Sequence, residues 1–322
     1  QRSRETAVLF PTLLLFSGIQ RRDRDLPNSV RNAVCISSAQ GQYLGNSVSS
    51  REKPSLGCYR PKEFCGGLNV LRPRLIPCLL VHNNGLVKTI NFANPKYVGD
   101  PINAVRIFNE KVVDELMVLD IDATRLGREP DYKMIANLAS ESRMPLSYGG
   151  RAQNAEQIAR IIGLGVEKVS LSAAAVVNPE LVSEAAAQVG SQSIVVVIDV
   201  KKTGLMRNYE VLTHNATKRT GLDPVKFSLE NEERGAGEIL LTSMQGDGTK
   251  NGYSIDITAA ISEALDIPVI ASGGAGSMEH FVDVFNNGKA DAALAASVFH
   301  FKEIPIKELK ERLQENGIPV RL

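Results

Sequence analysis

A carboxylate ends an uninterrupted apolar run in Ile194-Val195-Val196-Val197-Ile198-Asp199-Val200-Lys201. A run this short reads as a parallel strand buried on both faces. At the C-terminal end of such a strand, α/β folds place their acid–base chemistry. The competing reading is that Asp199 only serves a turn or helix cap. Two further segments are built to approach an anion. Ala271-Ser272-Gly273-Gly274-Ala275-Gly276, with Ala295-Ala296-Ser297 downstream, could aim backbone N–H groups at a phosphate; otherwise the glycines serve only a tight turn. Tyr148-Gly149-Gly150-Arg151 with Ser172-Ala173-Ala174 has the same form, with Arg151 where the other has Gly274. That arginine either adds a charge-assisted contact or blocks close approach. The polar segment 243–252, with Asp247-Gly248-Thr249, suits a loop that covers a ligand, or a plain turn. Lys88, in the segment 82–92, could close over the same mouth, although a lone lysine is usually just solvated. Finally, Arg74, Glu115, Lys168 and Glu238 each stand at or just before the start of an apolar run. Two cations and two anions at one end of a sheet would form a neutralised ring, or a salt-bridge cluster that only stabilises.

These residues need a scaffold that brings strand ends together. The hydrophobic pattern predicts strands over 75–81, 115–121, 145–148, 168–172, 194–200, 238–242, 268–271 and 292–298. It predicts helices over 101–112, 131–142, 155–164, 179–189, 224–234, 255–265, 278–286 and 306–316. Asp100 and Pro101 suit the cap and first position of the earliest helix. A polar excursion over 204–221 contains an alternating piece (Tyr209, Val211, Thr213) that suits a short hairpin. Alternation of this kind over a barrel-sized span predicts an α/β fold, a (β/α)8 TIM barrel, ahead of an open doubly wound sheet. An internal repeat favours the barrel. Residues 145–176 align without a gap on 268–299, so Gly150 falls on Gly273, Leu171 on Leu294 and Ala173 on Ala296, and Glu115 likewise falls on Glu238. Half of the barrel is the repeating unit. Asp199 and the two phosphate segments then lie at the mouth, and the four charges at the bottom.

Composition bounds the rest. The chain has 322 residues, 43% hydrophobic and 23% charged, with net charge +1. That balance calls for neither a nucleic-acid nor a membrane partner, and the lack of Trp argues against base-stacking platforms. Residues 1–69 differ in texture. They hold 10 Lys/Arg against 5 Asp/Glu, are rich in Arg, Ser, Asn and Gly, and show no period of 2 or 3.6. They read as a disordered, non-domain extension ahead of a barrel over 70–322; the alternative is a targeting segment built on the apolar run 7–19. Cys35, Cys58, Cys65 and Cys78 form no C-x-x-C pair and have no zinc-ligand spacing, so no metal or other cofactor is expected, nor an oxidising compartment. A cytoplasmic location is the expectation.

From about residue 71 to the end, the chain resembles the cyclase subunit of imidazole glycerol phosphate synthase, in the histidine-biosynthesis barrel family. The resemblance rests on Val197-Ile198-Asp199-Val200-Lys201-Lys202, on 235–243, on Asp247-Gly248-Thr249, on 270–276 and on 292–301. It implies a lyase-type, ammonia-dependent synthase. Ammonia would come from a glutaminase subunit docked on the barrel bottom in a heterodimer, and pass through the barrel to a bis-phosphorylated substrate at the top. The products would be imidazole glycerol phosphate and an aminoimidazole carboxamide ribotide. Arg74, Glu115, Lys168 and Glu238 match the family's ammonia gate. Asp199 matches a catalytic aspartate. Substrate and phosphate contacts are expected from Lys88, Gly150, Ser172, Thr242, Asp247 and Gly248, and from Ser272, Gly273, Gly274, Ala296 and Ser297. The phosphate site after strands three and four departs from the family pattern, with Arg151 for glycine and Ser172-Ala173 for the usual polar pair, and so does the first strand. The family uses a second aspartate at the end of the first strand, where this chain has Leu80. Leu80, with Asn83-Asn84-Gly85 and the segment 88–92, resembles instead a paralogous branch acting with an amidotransferase in amidino modification of surface-polysaccharide sugars. A barrel that only binds and activates a glutaminase partner is a third reading.

Overall fold

The computed structural model describes residues 72–90, 93–203, 208–214 and 217–322. The extension read over 1–69, three of the four cysteines and the residues Asn91-Phe92 lie outside these. Twelve strands appear among the described residues, in one sheet. Eight of them are parallel and close on themselves. These are β1 (Arg74–His82), β4 (Leu116–Asp120), β5 (Leu146–Gly149), β6 (Lys168–Leu171), β7 (Ile194–Thr203), β10 (Glu238–Ser243), β11 (Val269–Ser272) and β12 (Ala292–Ala295). β1 pairs with both β12 and β4, and β10 pairs with both β11 and β7, which closes the ring. The (β/α)8 barrel read from the sequence is therefore the fold.

Helices follow the barrel strands, and their starts are written in the sequence. α1 (Pro101–Asn109) carries proline at its first turn, and Asp100 accepts a hydrogen bond from the Asn103 N–H. Two short or medium helices follow β4, α2 (Ala123–Leu126) and α3 (Tyr132–Glu141), the latter capped by Asp131. Asn154 caps α4 (Ala155–Gly163). After β6 come α5 (Ala173–Val177) and α6 (Glu180–Val189). Asp223 caps α7 (Pro224–Glu233), again with proline in the first turn. α8 (Ile255–Ala264), α9 (Met278–Asn286), α10 (Ser297–His300) and α11 (Ile306–Glu315) complete the chain. The shift of 123 residues seen in the sequence carries α3 onto α8 and α4 onto α9 end to end, and the capping pair Asp100-Pro101 onto Asp223-Pro224.

Two apolar layers hold the barrel. Outward-facing strand residues such as Leu79, Val118, Ile198 and Ile239 pack under the helices. Inward-facing Ile76, Cys78, Met117, Val195, Leu240 and Ile270 fill the interior. That alternation along each strand makes the barrel a packed core rather than a pore.

Residues 82–90, part of the segment expected to form a loop over the mouth, are not a loop. They fold back as β2 (Gly85–Ile90) against β1, and β3 (Ala93–Gly99) continues the ribbon. Their turn needs Asn83 and Asn84 at positive φ, a conformation that asparagine tolerates. β7 is likewise longer than the sequence run, because its end pairs antiparallel with β8 (Asn208–Thr213), which in turn pairs with β9 (Lys218–Arg219). Polar Lys201, Lys202 and Thr203 are strand here only because β8 supplies the ladder.

Candidate functional site

A cavity opens at the C-terminal ends of the barrel strands, lined by Asp199 and by all eleven residues expected to contact substrate or phosphate. β7 delivers Asp199, and its neighbour β10 delivers Thr242, opposite Asp199 in register. β11 brings Ser272, Gly273 and Gly274, and the end of β12 brings Ala296 and Ser297. Gly150 and Ser172 enter from β5 and β6, while Lys88 comes from the β2–β3 ribbon. Asp247 and Gly248 come from the turn after β10.

Asp199 is 7% exposed. Burial pushes its carboxyl up to about 7, the nearby Asp247 carboxylate adds to the rise, and a hydrogen bond from the Ser172 hydroxyl opposes it. A group held near neutrality in this way can give and take protons at physiological pH.

Leu80 occupies the matching place on the opposite strand. Leu80 pairs with Leu119 and, on the β2 side, with Val87. Asp199 pairs with Thr242 and, on the β8 side, with Leu212. The repeat places Leu119 on Thr242, so Leu80 is the structural mate of Asp199. An apolar side chain stands there.

The glycines at the mouth have packing reasons of their own. Gly273 and Gly274 have φ of +90° and +110°. A Cβ on Gly273 would press on the Ser243 carbonyl, and one on Gly274 would overlap the Gly252 carbonyl. The Gly252 N–H donates to the Gly274 carbonyl at 2.8 Å. These glycines let the turn after β10 lie directly on the end of β11. At the other end, the space beside Gly150 is filled by the Tyr148 hydroxyl. Arg151 keeps the positive φ of its repeat mate, at +51°, and its Nη1 donates to the Arg128 carbonyl at 3.3 Å. Its guanidinium thus stands at the rim, tied to the segment after β4, while still lining the cavity.

The ribbon closes one side of the mouth. The Lys88 ammonium lies 4.7 Å from the centre of the Phe301 ring. The Thr89 hydroxyl donates to Asp247 at 3.4 Å, and Gly248 sits against the Thr89 carbonyl and the Ile90 Cα. Sequence reading missed Thr89, Asp120 and His214, which also line the cavity. Asp120 carried the same signal as Asp199, a carboxylate at a strand end. Here burial raises its pKa, and the Asp122 and Ala123 N–H groups partly offset that rise.

At the opposite end the four charges form a closed ring. Arg74 bonds Glu115 at 2.7 Å and Glu238 at 2.9 Å. Lys168 bonds the same two carboxylates at 2.8 and 3.1 Å. The Ser147 hydroxyl donates to the remaining Glu115 oxygen at 2.6 Å. Each cation bridges both anions, so the floor of the barrel is sealed by a neutral ring.

Comparison with known proteins agrees with this architecture. A family model described as histidine biosynthesis protein matches residues 74–305. A protein of Leptospira interrogans named "Putative imidazole glycerol phosphate synthase subunit HisF" is 48% identical over 252 residues, covering 76% of this chain and 99% of the relative. A Leptospira borgpetersenii protein of the same name is 49% identical over 235 residues, covering 73% and 92%. The half-barrel repeat, the glycine-lined mouth and these matches agree: the chain belongs to the histidine biosynthesis protein family.

Proposed function

We propose that this barrel is an ammonia-using enzyme of the cyclase-subunit type, acting on a phosphorylated substrate held at the mouth. The observation that carries the reading is the pairing of a buried Asp199, its carboxyl raised to about 7, at one end of the barrel with a closed ring of Arg74, Glu115, Lys168 and Glu238 at the other. In this reading a glutaminase subunit docks on the bottom, and ammonia enters when the ring opens. Strand ends β11 and β12 hold one phosphate through Ser272, Gly273, Gly274, Ala296 and Ser297. Strand ends β5 and β6 hold the other through Gly150 and Ser172, with Arg151 contributing charge from the rim. Lys88, Thr242, Asp247 and Gly248 contact the substrate between them. Asp199 moves the protons of ring closure.

The test uses the full chain with an ammonium salt and the bis-phosphorylated histidine-pathway substrate, with product formation followed by absorbance. Turnover that Asp199→Asn reduces by a factor on the order of 10²–10⁴ is expected. Turnover unaffected by that substitution, or none in the parent chain, would refute the assignment. Docking is tested by co-purification with the glutaminase subunit from the same organism and by glutamine-driven turnover, which Glu115→Gln should uncouple from ammonia use.

A further inference from the structure

The cavity holds a second carboxylate in the right place for proton transfer, on a different element from the one the repeat predicts. After Ser243 the chain turns back at once, with the Gly246 and Asp247 N–H groups both donating to the Ser243 carbonyl at 3.1 Å. The Met244 N–H donates to the Val200 carbonyl at 3.0 Å, which pins the start of this turn to the residue after Asp199. Gly246 lies against the Gly273 carbonyl, so the end of β11 backs the turn on its other side. The β2–β3 ribbon fixes the carboxylate from above through the Thr89 hydroxyl. Three elements thus hold Asp247 in the cavity wall beside Asp199.

We propose that Asp247 is the partner of Asp199 in the acid–base pair, so that both proton-transferring groups lie on one wall, while Leu80 holds the facing position. This rests on the reading of the cavity as the site of ammonia-dependent chemistry. In the closed strand order β1 and β4 stand across the barrel from β7 and β10, so an aspartate at position 80 would have faced Asp199, whereas Asp247 stands on the turn that follows β10, the strand paired with β7. Asp199, Asp247 and Cys78 all line this one cavity, and the Asp247 carboxylate adds to the rise of both the Asp199 carboxyl and the Cys78 thiol. The other charged or titratable groups lining the cavity are Lys88, Asp120, Arg151 and His214.

The pair balances the protons of imine formation. The ammonia lone pair bonds to a substrate carbonyl carbon, the carbonyl π pair moves to oxygen, and that oxygen takes the proton of the Asp199 carboxyl. The new ammonium nitrogen gives a proton to the Asp247 carboxylate. In the second half Asp247 protonates the hydroxyl, which leaves as water. The nitrogen lone pair forms the C=N bond, and Asp199 takes back a proton from nitrogen. Ammonia and carbonyl become imine and water, and both carboxyls regain their starting state.

The experiment combines kinetics with infrared titration of the carboxyls in the full chain. For Asp247→Asn, ammonium-dependent kcat should fall by a factor on the order of 10²–10⁴ with KM nearly unchanged. One limb of the pH–rate profile should vanish, and the Asp199 titration should move down by on the order of one pH unit as its like-charged neighbour goes. Adding Leu80→Asp to Asp247→Asn should recover at least roughly tenfold of the lost rate, and Asp247→Glu should keep most of it. An Asp247→Asn enzyme with near-parent kcat, or an unmoved Asp199 titration, overturns the proposal. A parent chain that does not turn over this substrate refutes the cyclase reading alone, and the infrared titration still decides whether the two carboxyls form a pair.

Discussion

Replacing Asp199 with asparagine should stabilise the protein, and more so as pH rises. In the folded chain the Asp199 carboxyl is raised from 3.8 to about 7, first by burial and then by Asp247. A carboxyl that holds its proton more tightly when folded favours folding only at low pH. As pH rises through the interval from 3.8 to about 7, the unfolded chain ionises freely and the folded chain does not, so stability is lost. With 1.36 kcal/mol per pKa unit, ionisation of Asp199 costs about 2 kcal/mol at pH 5 and about 4 kcal/mol at pH 8.5. Asparagine has the same shape and can still accept from Ser172, but it does not ionise. The difference in unfolding free energy between Asp199→Asn and the parent should therefore widen by about 2–3 kcal/mol from pH 5 to pH 8.5. The assay is urea denaturation of both proteins across that range. Taking the difference cancels every group that titrates alike in both. Parallel stability curves would refute the claim that Asp199 is held protonated by its surroundings, and with it the basis for its acid–base role.

Glu115→Gln should cost about 3–5 kcal/mol in urea denaturation, because Glu115 is 2% exposed and its loss leaves Arg74 and Lys168 underneutralised inside the barrel floor. Gly274→Ala should lift the turn after β10 off the end of β11, since its Cβ would overlap the Gly252 carbonyl. Hydrogen exchange should then speed up at the Gly252 amide, which now donates to the Gly274 carbonyl; unchanged protection there would show that the turn adapts. Cys78 is 2% exposed and burial pushes its thiol up to about 12. Mass-spectrometric mapping after thiol labelling at pH 8 should therefore find Cys78 unmodified in the folded chain and modified in urea.

The amino-acid sequence determined the strand–helix alternation, the half-barrel repeat and the helix caps. Those signals are local: apolar periodicity, capping residues at Asp100, Asn154 and Asp223, and a fixed shift between copies. It also located Asp199, because a carboxylate closing a buried strand is visible in one dimension. Other features depended on which backbones meet in the fold. The ribbon after β1 and the extended end of β7 are strands because antiparallel neighbours supply their hydrogen bonds, and polar residues such as Lys201 and Lys202 give no warning of it. The mouth glycines read as phosphate contacts, yet the fold also needs them so that two backbones can touch. The relation between the two carboxylates was the most hidden. Asp199 and Asp247 are 48 residues apart, and only the pairing of β7 with β10, the turn after Ser243 and the hydroxyl of Thr89 set them on one wall. Charge–charge coupling depends on distance and burial, and both are properties of the folded barrel alone.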